Sequence, residues 1–298
     1  MHVKSVMAFM LAASVIAAGC STTKSAAPHK EDADMVFVHG LSAMQKGDLP
    51  EAEKNYRKTL ELDPKSYNAR MMLGVTYEKW GKPEKATEAY SQAITIQPKN
   101  PRAYISIMGV YYDMHLANGM VEFGEKALAN GVKPESVSGF LGTAYYLLGD
   151  NKKAEAKLRK QLELVPNDTM SGIELGVVLY SMGRYDDSLV PLGRAVKADT
   201  RSGLASWAMA LSYEALGKDA EAVGMMKEAL KRDAGIEPKI GMYKKEFSPN
   251  ATPKDRPEIL EKAKAELAAE KTVMPSHGTI MMKKPDAVAP AVPAPAGK

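Results

Sequence analysis

The apolar positions of the chain recur in pairs of short amphipathic stretches between residues 33 and 236. A glycine follows the first stretch of most pairs, where it can take the left-handed backbone conformation that ends a helix. These glycines fall on a lattice of 34 residues on which one point, His115, is not glycine; they are Gly47, Gly81, Gly149, Gly183 and Gly217. A fixed period of this length predicts repeated helix-turn-helix units.

Starting each unit fourteen residues before the turn divides the array without insertions into six units, 33–66, 67–100, 101–134, 135–168, 169–202 and 203–236. Two further positions of the unit hold small residues. The first position has Gly40, Gly74, Gly142, Gly176 and Ala210, and the second has Ala52, Ala86, Ala154, Ser188 and Ala222. Small side chains at these points let the paired helices of a unit approach closely. The predicted fold class is all-α.

The second unit shows the pattern most completely, with Leu73, Gly74, Tyr77, Gly81, Ala86, Tyr90, Ala93 and Pro98. This arrangement resembles the tetratricopeptide repeat (TPR), and the resemblance covers residues 33–236. It implies a right-handed superhelical solenoid of about six repeats. In that family the first helices of successive repeats line a concave groove in which peptides commonly bind, so the resemblance also implies a protein or peptide partner.

The third unit departs from the pattern. Met108 and Met120 occupy both small positions, Gly124 replaces a large apolar residue, and His115 replaces the turn glycine. Gly109 comes one residue late, which predicts that the first helix of this unit is shifted by one residue. Two interpretations stay open: a degenerate repeat that packs because methionine is adaptable, or a hinge or notch for a ligand.

Carrying the groove of the family over to this chain gives a set of candidate peptide-binding residues. One groove position places Tyr112, Tyr146 and Tyr180 in three successive units, where their rings would form a ladder for an extended segment or a helix. Neighbouring groove positions hold Phe37, Met71, Ile173 and Trp207. The alternative is that these side chains pack against the next repeat and meet no ligand.

The N-terminus has the layout of a secretory signal, with Lys4 followed by an uncharged stretch that ends in small residues. Ile16-Ala17-Ala18-Gly19-Cys20 resembles the bacterial lipobox, with Ala17 where that family prefers Leu. The resemblance implies a signal peptide at 1–19 and a lipid, including an acyl group such as palmitate, on Cys20. The alternative is an inert cysteine in a plain signal peptide. Ser21 resembles the outer-membrane sorting signal, so we expect the chain on the periplasmic face of the outer membrane.

The segments that flank the array have different compositions. Residues 20–32 are small and polar, which predicts a flexible tether, and 237–254 is irregular, which predicts a linker. Asp255-Arg256-Pro257-Glu258 resembles a capping box and predicts a helix over 255–271 that covers the end of the array. The Pro- and Ala-rich stretch 272–298 predicts a disordered, extended tail.

Composition and motifs argue against several functions. Lys and Arg total 40 against 36 for Asp and Glu, too small an excess to predict binding of nucleic acid. With a single cysteine there is no multi-cysteine zinc site, and the five histidines show no metal-ligand spacing. His39 takes a core-facing repeat position, so we expect it to be packed. No nucleophile elbow, phosphate-binding loop or dinucleotide fingerprint occurs. We therefore predict no catalytic residues, no cofactor, no metal and no small-molecule substrate.

These features together predict a non-enzymatic, lipid-anchored adaptor that binds protein partners in the bacterial cell envelope. Lipobox, short tether and six repeats resemble the organisation of TPR outer-membrane lipoproteins such as the pilotins of type IV pili, which help a secretin ring to assemble. Two alternatives stay open: a scaffold for cell-wall or exopolysaccharide machinery, and a self-associating structural protein of the envelope. The sequence leaves the oligomeric state undetermined.

Overall fold

The computed structural model describes residues 30–201, 203–233, 236 and 257–273. Within these ranges the chain forms α-helices, one short 3-10 helix at Pro134–Ser136, and no strand. The helices are α1 (Lys30–Gln45), α2 (Leu49–Leu62), α3 (Tyr67–Lys79), α4 (Pro83–Ile96), α5 (Pro101–Asp113), α6 (Ala117–Ala129), α7 (Ser138–Leu147), α8 (Asn151–Leu164), α9 (Thr169–Ser181), α10 (Tyr185–Ala198), α11 (Leu204–Ala215), α12 (Asp219–Arg232) and α13 (Pro257–Val273). The all-α class and the helix-turn-helix repeats are confirmed.

The chain divides into two compact units, unit 1 up to Ile96 and unit 2 from Gln97 onward. In unit 1, α1 packs against α2, α2 against α3, and α3 against α4. In unit 2 the same order holds from α5 to α12, so each helix contacts its chain neighbour. Because the largest contacts join helices that follow each other in the chain, each unit is held together mainly by packing between neighbours, as in other repeat proteins.

A glycine with positive φ ends the first helix of most repeats. At Gly149 (φ 77°), the backbone N–H donates to Tyr146 O at 2.9 Å, and the next N–H, of Asp150, donates to Tyr145 O at 2.9 Å. This pair of bonds is the Schellman motif, which satisfies carbonyls that the helix end leaves without partners. The Asp150 side chain then accepts from Lys153 N at 3.1 Å and caps the next helix.

The third repeat keeps the same register as the others, so the predicted shift of its first helix is wrong. His115 has φ 57° and makes the same Schellman bonds: its N–H donates to Tyr112 O, and that of Leu116 donates to Tyr111 O. Gly109 has open space around its missing side chain and marks no close approach. The shift is absent because His115 itself takes the left-handed conformation that glycine takes elsewhere.

The backbone of His115 gives a first prediction. A non-glycine residue in the left-handed region costs about 1 kcal/mol relative to glycine. We therefore expect His115→Gly to raise the free energy of unfolding by about 1 kcal/mol, measured by urea denaturation. The matched control is Gly183→His, at a turn of φ 74° with open space around it, which should lose a similar amount. Equal stability of all three chains would contradict the argument.

The small positions allow close contact between paired helices, as predicted. In unit 1, a Cβ added to Gly40 would lie 2.5 Å from Cε1 of Tyr56, a ring that is fully buried. In unit 2, a Cβ on Gly142 would lie 2.5 Å from Cγ of Leu158. Such distances are far below van der Waals contact, so only glycine fits at these points.

The third repeat reverses this arrangement of large and small residues. Met108, fully buried, occupies the position that is glycine in its neighbours. Gly124, sixteen residues later, occupies the position of the large partner, and a Cβ there would lie 3.0 Å from the Met108 Cε and 2.6 Å from Leu141 Cδ2. The small residue at 124 therefore leaves room for the large side chain of Met108 within the same repeat.

Helix α13 packs against α12, the last described helix of the array. Ile259 and Ala263 are buried in the same hydrophobic cluster as Met226 of α12. Lys227 forms ion pairs with Glu266 and Glu270 at the edge of this contact. The helix thus covers an apolar side of α12 and turns charged residues outward.

Several predictions lie wholly or partly outside the described residues: the signal peptide, the lipid on Cys20, most of the tether, the linker at 237–254 and the tail from 274 onward. Helix α1 already begins at Lys30, within the stretch predicted as tether, and α13 continues to Val273. His39 is exposed on α1, so the prediction that it is packed is wrong. None of the helices in the described ranges has the length and apolar composition that crossing a membrane requires.

Candidate peptide-binding groove

The first helices of successive repeats in unit 2 lie side by side. Helix α5 contacts α7, α7 contacts α9, and α9 contacts α11. We call one side of this row the first-helix face, and it is defined by Tyr112, Thr143, Tyr146, Glu174, Val177 and Tyr180. The three tyrosines of the predicted groove belong to this face.

The first-helix face contains one carboxyl group, that of Glu174. Thr143 Oγ1 of α7 donates a hydrogen bond to Glu174 Oε1 of α9 at 2.8 Å. Glu174 borders a small cavity of about 10 Å³, close to the volume that one water molecule occupies. The cavity is lined by Tyr112, Thr143, Tyr146, Leu147, Leu158, Glu174, Val177 and Val178. A carboxyl group is thus held among aromatic and aliphatic side chains.

Its surroundings change the acidity of Glu174. Burial disfavours the charged form and raises the pKa of this carboxyl to about 7. The hydrogen bond from Thr143 acts in the opposite direction and lowers the pKa, and the negative charge of Asp168 raises it again. Both the neutral and the ionised form of Glu174 are therefore populated near neutral pH.

The three predicted tyrosines differ in exposure. Tyr112 is half-buried and borders the cavity beside Glu174. Tyr146 is only 4% exposed, and burial raises the pKa of its hydroxyl. Tyr180 is half-buried, with its ring 5.1 Å from that of Tyr185. Burial, followed by the charges of Tyr185 and Glu214, raises the pKa of Tyr180 to about 12. The outer two tyrosines can contact a ligand directly, whereas the middle one supports the face from beneath.

The other predicted residues are mostly packed. Ile173 and Trp207 are each 2% exposed and belong to the same hydrophobic cluster as Tyr146 in unit 2. In unit 1, Met71 is 6% exposed and Phe37 is half-buried, with its ring 5.6 Å from that of Tyr56. The structure brings Tyr112 and Tyr146 to one cavity, and peptide binding by the whole set stays a prediction.

Glu174 and Thr143 were missed by reasoning from the sequence. The available signal is that Glu174 is the single charged residue in the thirteen residues of α9. An isolated charge in an otherwise apolar and small-residue helix is unusual, because buried charge is costly without a partner. A single charged residue in an apolar helix therefore indicates a binding site more specifically than the repeated tyrosines do.

A second concavity in unit 2, also missed, lies between α8 and α10. It is a cleft of about 920 Å³ lined by Arg159, Leu162, Glu163, Pro166, Asn167, Asp168, Thr169, Gly172, Leu175, Val190, Pro191, Arg194, Ala195, Lys197 and Ala198. Val190 is 60% exposed at its rim. The signal for this cleft is the run of five uncharged, mostly apolar residues 189–193, in which Pro191 stands inside helix α10.

Metal chemistry has no visible site in the part of the chain that the structure describes. No group of three or more His, Cys, Asp or Glu side chains there is arranged to hold a metal ion. The chemistry that the first-helix face offers is non-covalent: three phenol rings, the aliphatic hydroxyl of Thr143 and one titratable carboxyl.

Comparison with known proteins agrees with this architecture. The family model described as "Tetratricopeptide repeat" matches residues 37–101 and 173–235. The type IV pilus assembly protein PilF of Pseudomonas aeruginosa is 28% identical over 193 residues, which cover 62% of this chain and 76% of that protein. The photosystem I assembly protein Ycf3 of Rippkaea orientalis is 30% identical over 115 residues, 37% of this chain and 61% of that protein.

Solved structures show the same fold. The crystal structure of PilW, described as a widely conserved type IV pilus biogenesis factor, has a TM-score of 0.59 and 18% identity, covering 70% of this chain and 97% of that one. The structure of Pseudomonas aeruginosa PilF has a TM-score of 0.56 and 19% identity, covering 80% of this chain and 99% of that one. At this level of identity the likeness concerns the fold.

Proposed function

From the premise that this chain is built of tetratricopeptide repeats, we propose that it is a non-enzymatic adaptor that binds a segment of a protein partner on the first-helix face of unit 2. The observation that carries the proposal is that three half-buried side chains, Tyr112, Glu174 and Tyr180, lie on the first helices α5 and α9, and that Tyr112 and Glu174 line one cavity. Amphipathic rings with few rotatable bonds are favourable contacts for a peptide because little entropy is lost on binding.

We further propose that the adaptor works in the bacterial envelope, anchored through lipid on Cys20 at the periplasmic face of the outer membrane. Support comes from the lipobox-like sequence that ends at Cys20. Two or more acyl chains suffice for stable anchoring, where one does not. A Cys20→Ser chain that still fractionated with the outer membrane would contradict this anchor.

The partner that we propose belongs to a secretin or pilus-type complex, whose assembly or localisation the adaptor assists. This rests on the similarity to PilF over 76% of that protein's length. The two alternatives, a cell-wall or exopolysaccharide scaffold and a self-associating structural protein, predict different partners on the same face.

Photo-crosslinking in cells that express the full chain tests the proposal. A photoreactive amino acid replaces Tyr112 or Tyr180, and trapped proteins are identified by mass spectrometry. Two controls use other surfaces of unit 2: Lys153, whose side chain is exposed on α8, and Val190, at the rim of the cleft between α8 and α10. Both tyrosine positions should trap one discrete envelope protein that neither control traps.

The outcomes separate the candidate functions. A secretin or pilus component trapped from the first-helix face supports the proposal, and a wall or polysaccharide enzyme supports the scaffold. Trapping of a second copy of the chain supports self-association. A partner trapped only from Val190 would move the binding site to the cleft and contradict the proposed face.

A further inference from the structure

The carboxyl of Glu174 has fewer partners than its position requires. Thr143 supplies its one hydrogen bond within the described ranges, to Oε1, and Oε2 accepts from no donor there. The side chain is half-buried, so its carboxyl can still be reached from the first-helix face. A desolvated carboxylate with one neutral donor is unfavourable unless a positive group pairs with it. Within the described ranges, Oε2 is therefore available to a donor from a partner.

The charged residues of the first helices α7, α9 and α11 have a single sign. Helix α7 carries no charged residue, α9 carries only Glu174, and α11 carries only Glu214. These three helices therefore present two carboxylates and no Lys or Arg. An electronegative face of this kind favours a positively charged partner and speeds its association.

The groups that face Glu174 come from several helices. Tyr112 of α5 and Tyr146 of α7 contribute the titratable side chains that line its cavity, and α8 contributes the apolar Leu158. The nearest charge that affects it is Asp168, at the start of its own helix. Helices α10 and α11 also pack against α9 but place no side chain in the lining of this cavity.

We propose, resting on the proposed function of this face, that Glu174 receives a Lys or Arg side chain of the bound segment, with the ring of Tyr112 beside it. The cation supplies the donors that Oε2 lacks, and a charge-assisted hydrogen bond in a partly desolvated site is stronger than a neutral one. The aromatic face of the tyrosine adds attraction for the same cation. Flanking apolar residues of the segment contact the half-buried Tyr180.

The proposal predicts that binding depends on pH in a defined direction. Only the ionised carboxyl attracts a cation, and the free chain holds the pKa of Glu174 at about 7. The ionised fraction rises from about one in eleven at pH 6 to about ten in eleven at pH 8, so the affinity should rise about tenfold over this range. A segment without the cation should show no such rise.

Peptide selection provides the test, because it needs no knowledge of the natural partner. A random twelve-residue phage library is panned at pH 8 against the full chain, and binders that Tyr112→Ala weakens are kept as ligands of the first-helix face. We expect enrichment of Lys or Arg at one position of these peptides. Replacing that residue by norleucine should lower the affinity about tenfold and remove its dependence on pH.

Variants of the protein provide the matched comparison. Glu174→Gln should lose about tenfold in affinity at pH 8 and bind equally at pH 6 and pH 8. Glu221→Gln, which removes an exposed carboxylate on α12, should behave as the unchanged chain. Gln preserves the shape of the side chain, so the comparison reports charge rather than folding.

Failure of this inference differs from failure of the proposed function. Peptides that need Tyr112 but show neither a basic residue nor a dependence on Glu174 would overturn the cation site and leave the binding face intact. If panning yields no peptide that Tyr112→Ala weakens, both the face and the cation site are wrong.

Discussion

Combining Met108→Gly with Gly124→Leu is expected to recover much of the stability that the two single substitutions remove. Met108 is fully buried, so Met108→Gly leaves a cavity and adds a glycine within a helix, for a loss of about 4 kcal/mol. Gly124→Leu places a large side chain against the Met108 Cε and Leu141, and overpacking of this kind costs about 2 kcal/mol. The double variant puts the large residue where the neighbouring repeats have it.

The expectation follows from the regular repeats of unit 2. There a glycine of the first helix faces a leucine sixteen residues later: Gly142 faces Leu158, and Gly176 faces Leu192. The third repeat has the same pair of positions with the sizes exchanged, so the total volume is nearly kept. Because cores tolerate substitutions that conserve volume, the double variant should lose at least about 2 kcal/mol less than the sum of the single losses. Leu141 must move its Cδ2 methyl, which keeps the recovery partial.

Urea denaturation followed by far-ultraviolet circular dichroism measures the four chains of this cycle. The matched control imposes the reversed arrangement on the next repeat, with Gly142→Met and Leu158→Gly made singly and together. Its double variant should likewise be more stable than the two single losses predict. Additive losses in both repeats would show that these positions pack independently, against the contact seen between them.

The period of the fold is readable from the sequence because one backbone conformation recurs at one spacing. Gly47 and Gly183 mark turns that only a left-handed residue can make, so the helix boundaries follow from them. This reasoning fails at His115, because a histidine can also take the left-handed conformation at a moderate cost in free energy. In the sequence, the residues at 108 and 124 look like the loss of the repeat pattern. The structure shows that the two positions are in contact, so the small residue at 124 makes room for the large one at 108.

The candidate site was harder to predict, for a physical reason. Sequence spacing predicts that Tyr146 and Trp207 lie on the first helices of their repeats. It does not predict how deeply each side chain is buried, because burial depends on how the next repeat covers it. Both prove to be packed. Glu174 was overlooked because a single carboxylate on a helix is ordinarily solvated surface. Its significance appears only when Thr143 and the aromatic rings around it are known.

A second large effect is expected from Glu174→Gln, which should stabilise the chain at pH 8 and leave it nearly unchanged at pH 4. The folded chain raises the pKa of Glu174 from 4.5 to about 7 because the carboxyl is buried. The stability associated with the neutral form is fully present below pH 4.5 and is lost as the pH rises through 7. This difference between the pKa values of the unfolded and folded chains corresponds to about 3 kcal/mol of stability at pH 8. A neutral Gln should therefore make the chain more stable by about that amount at pH 8.

Urea denaturation of the two chains at pH 4, 6 and 8 measures this difference. The gain of the Gln variant should grow with pH, with its steepest change between pH 5 and pH 7. Glu221→Gln is the control, because an exposed carboxylate on α12 should give the same stability as the unchanged chain at each pH. A gain from Glu174→Gln that did not vary with pH would show that its carboxyl is solvated or already paired in the folded chain.

The stability that is lost when Glu174 ionises also bears on the function of this residue. Gln would fill the same space and accept the same hydrogen bond from Thr143 without a charge to desolvate, so packing alone does not explain a carboxylate at this point. A protein that carries a destabilising charge on an accessible face gains from it only where something pairs with that charge. If Glu174→Gln stabilises the free chain at pH 8 and weakens binding of a basic segment at the same pH, one carboxyl accounts for both effects, and the loss of stability is offset in the complex.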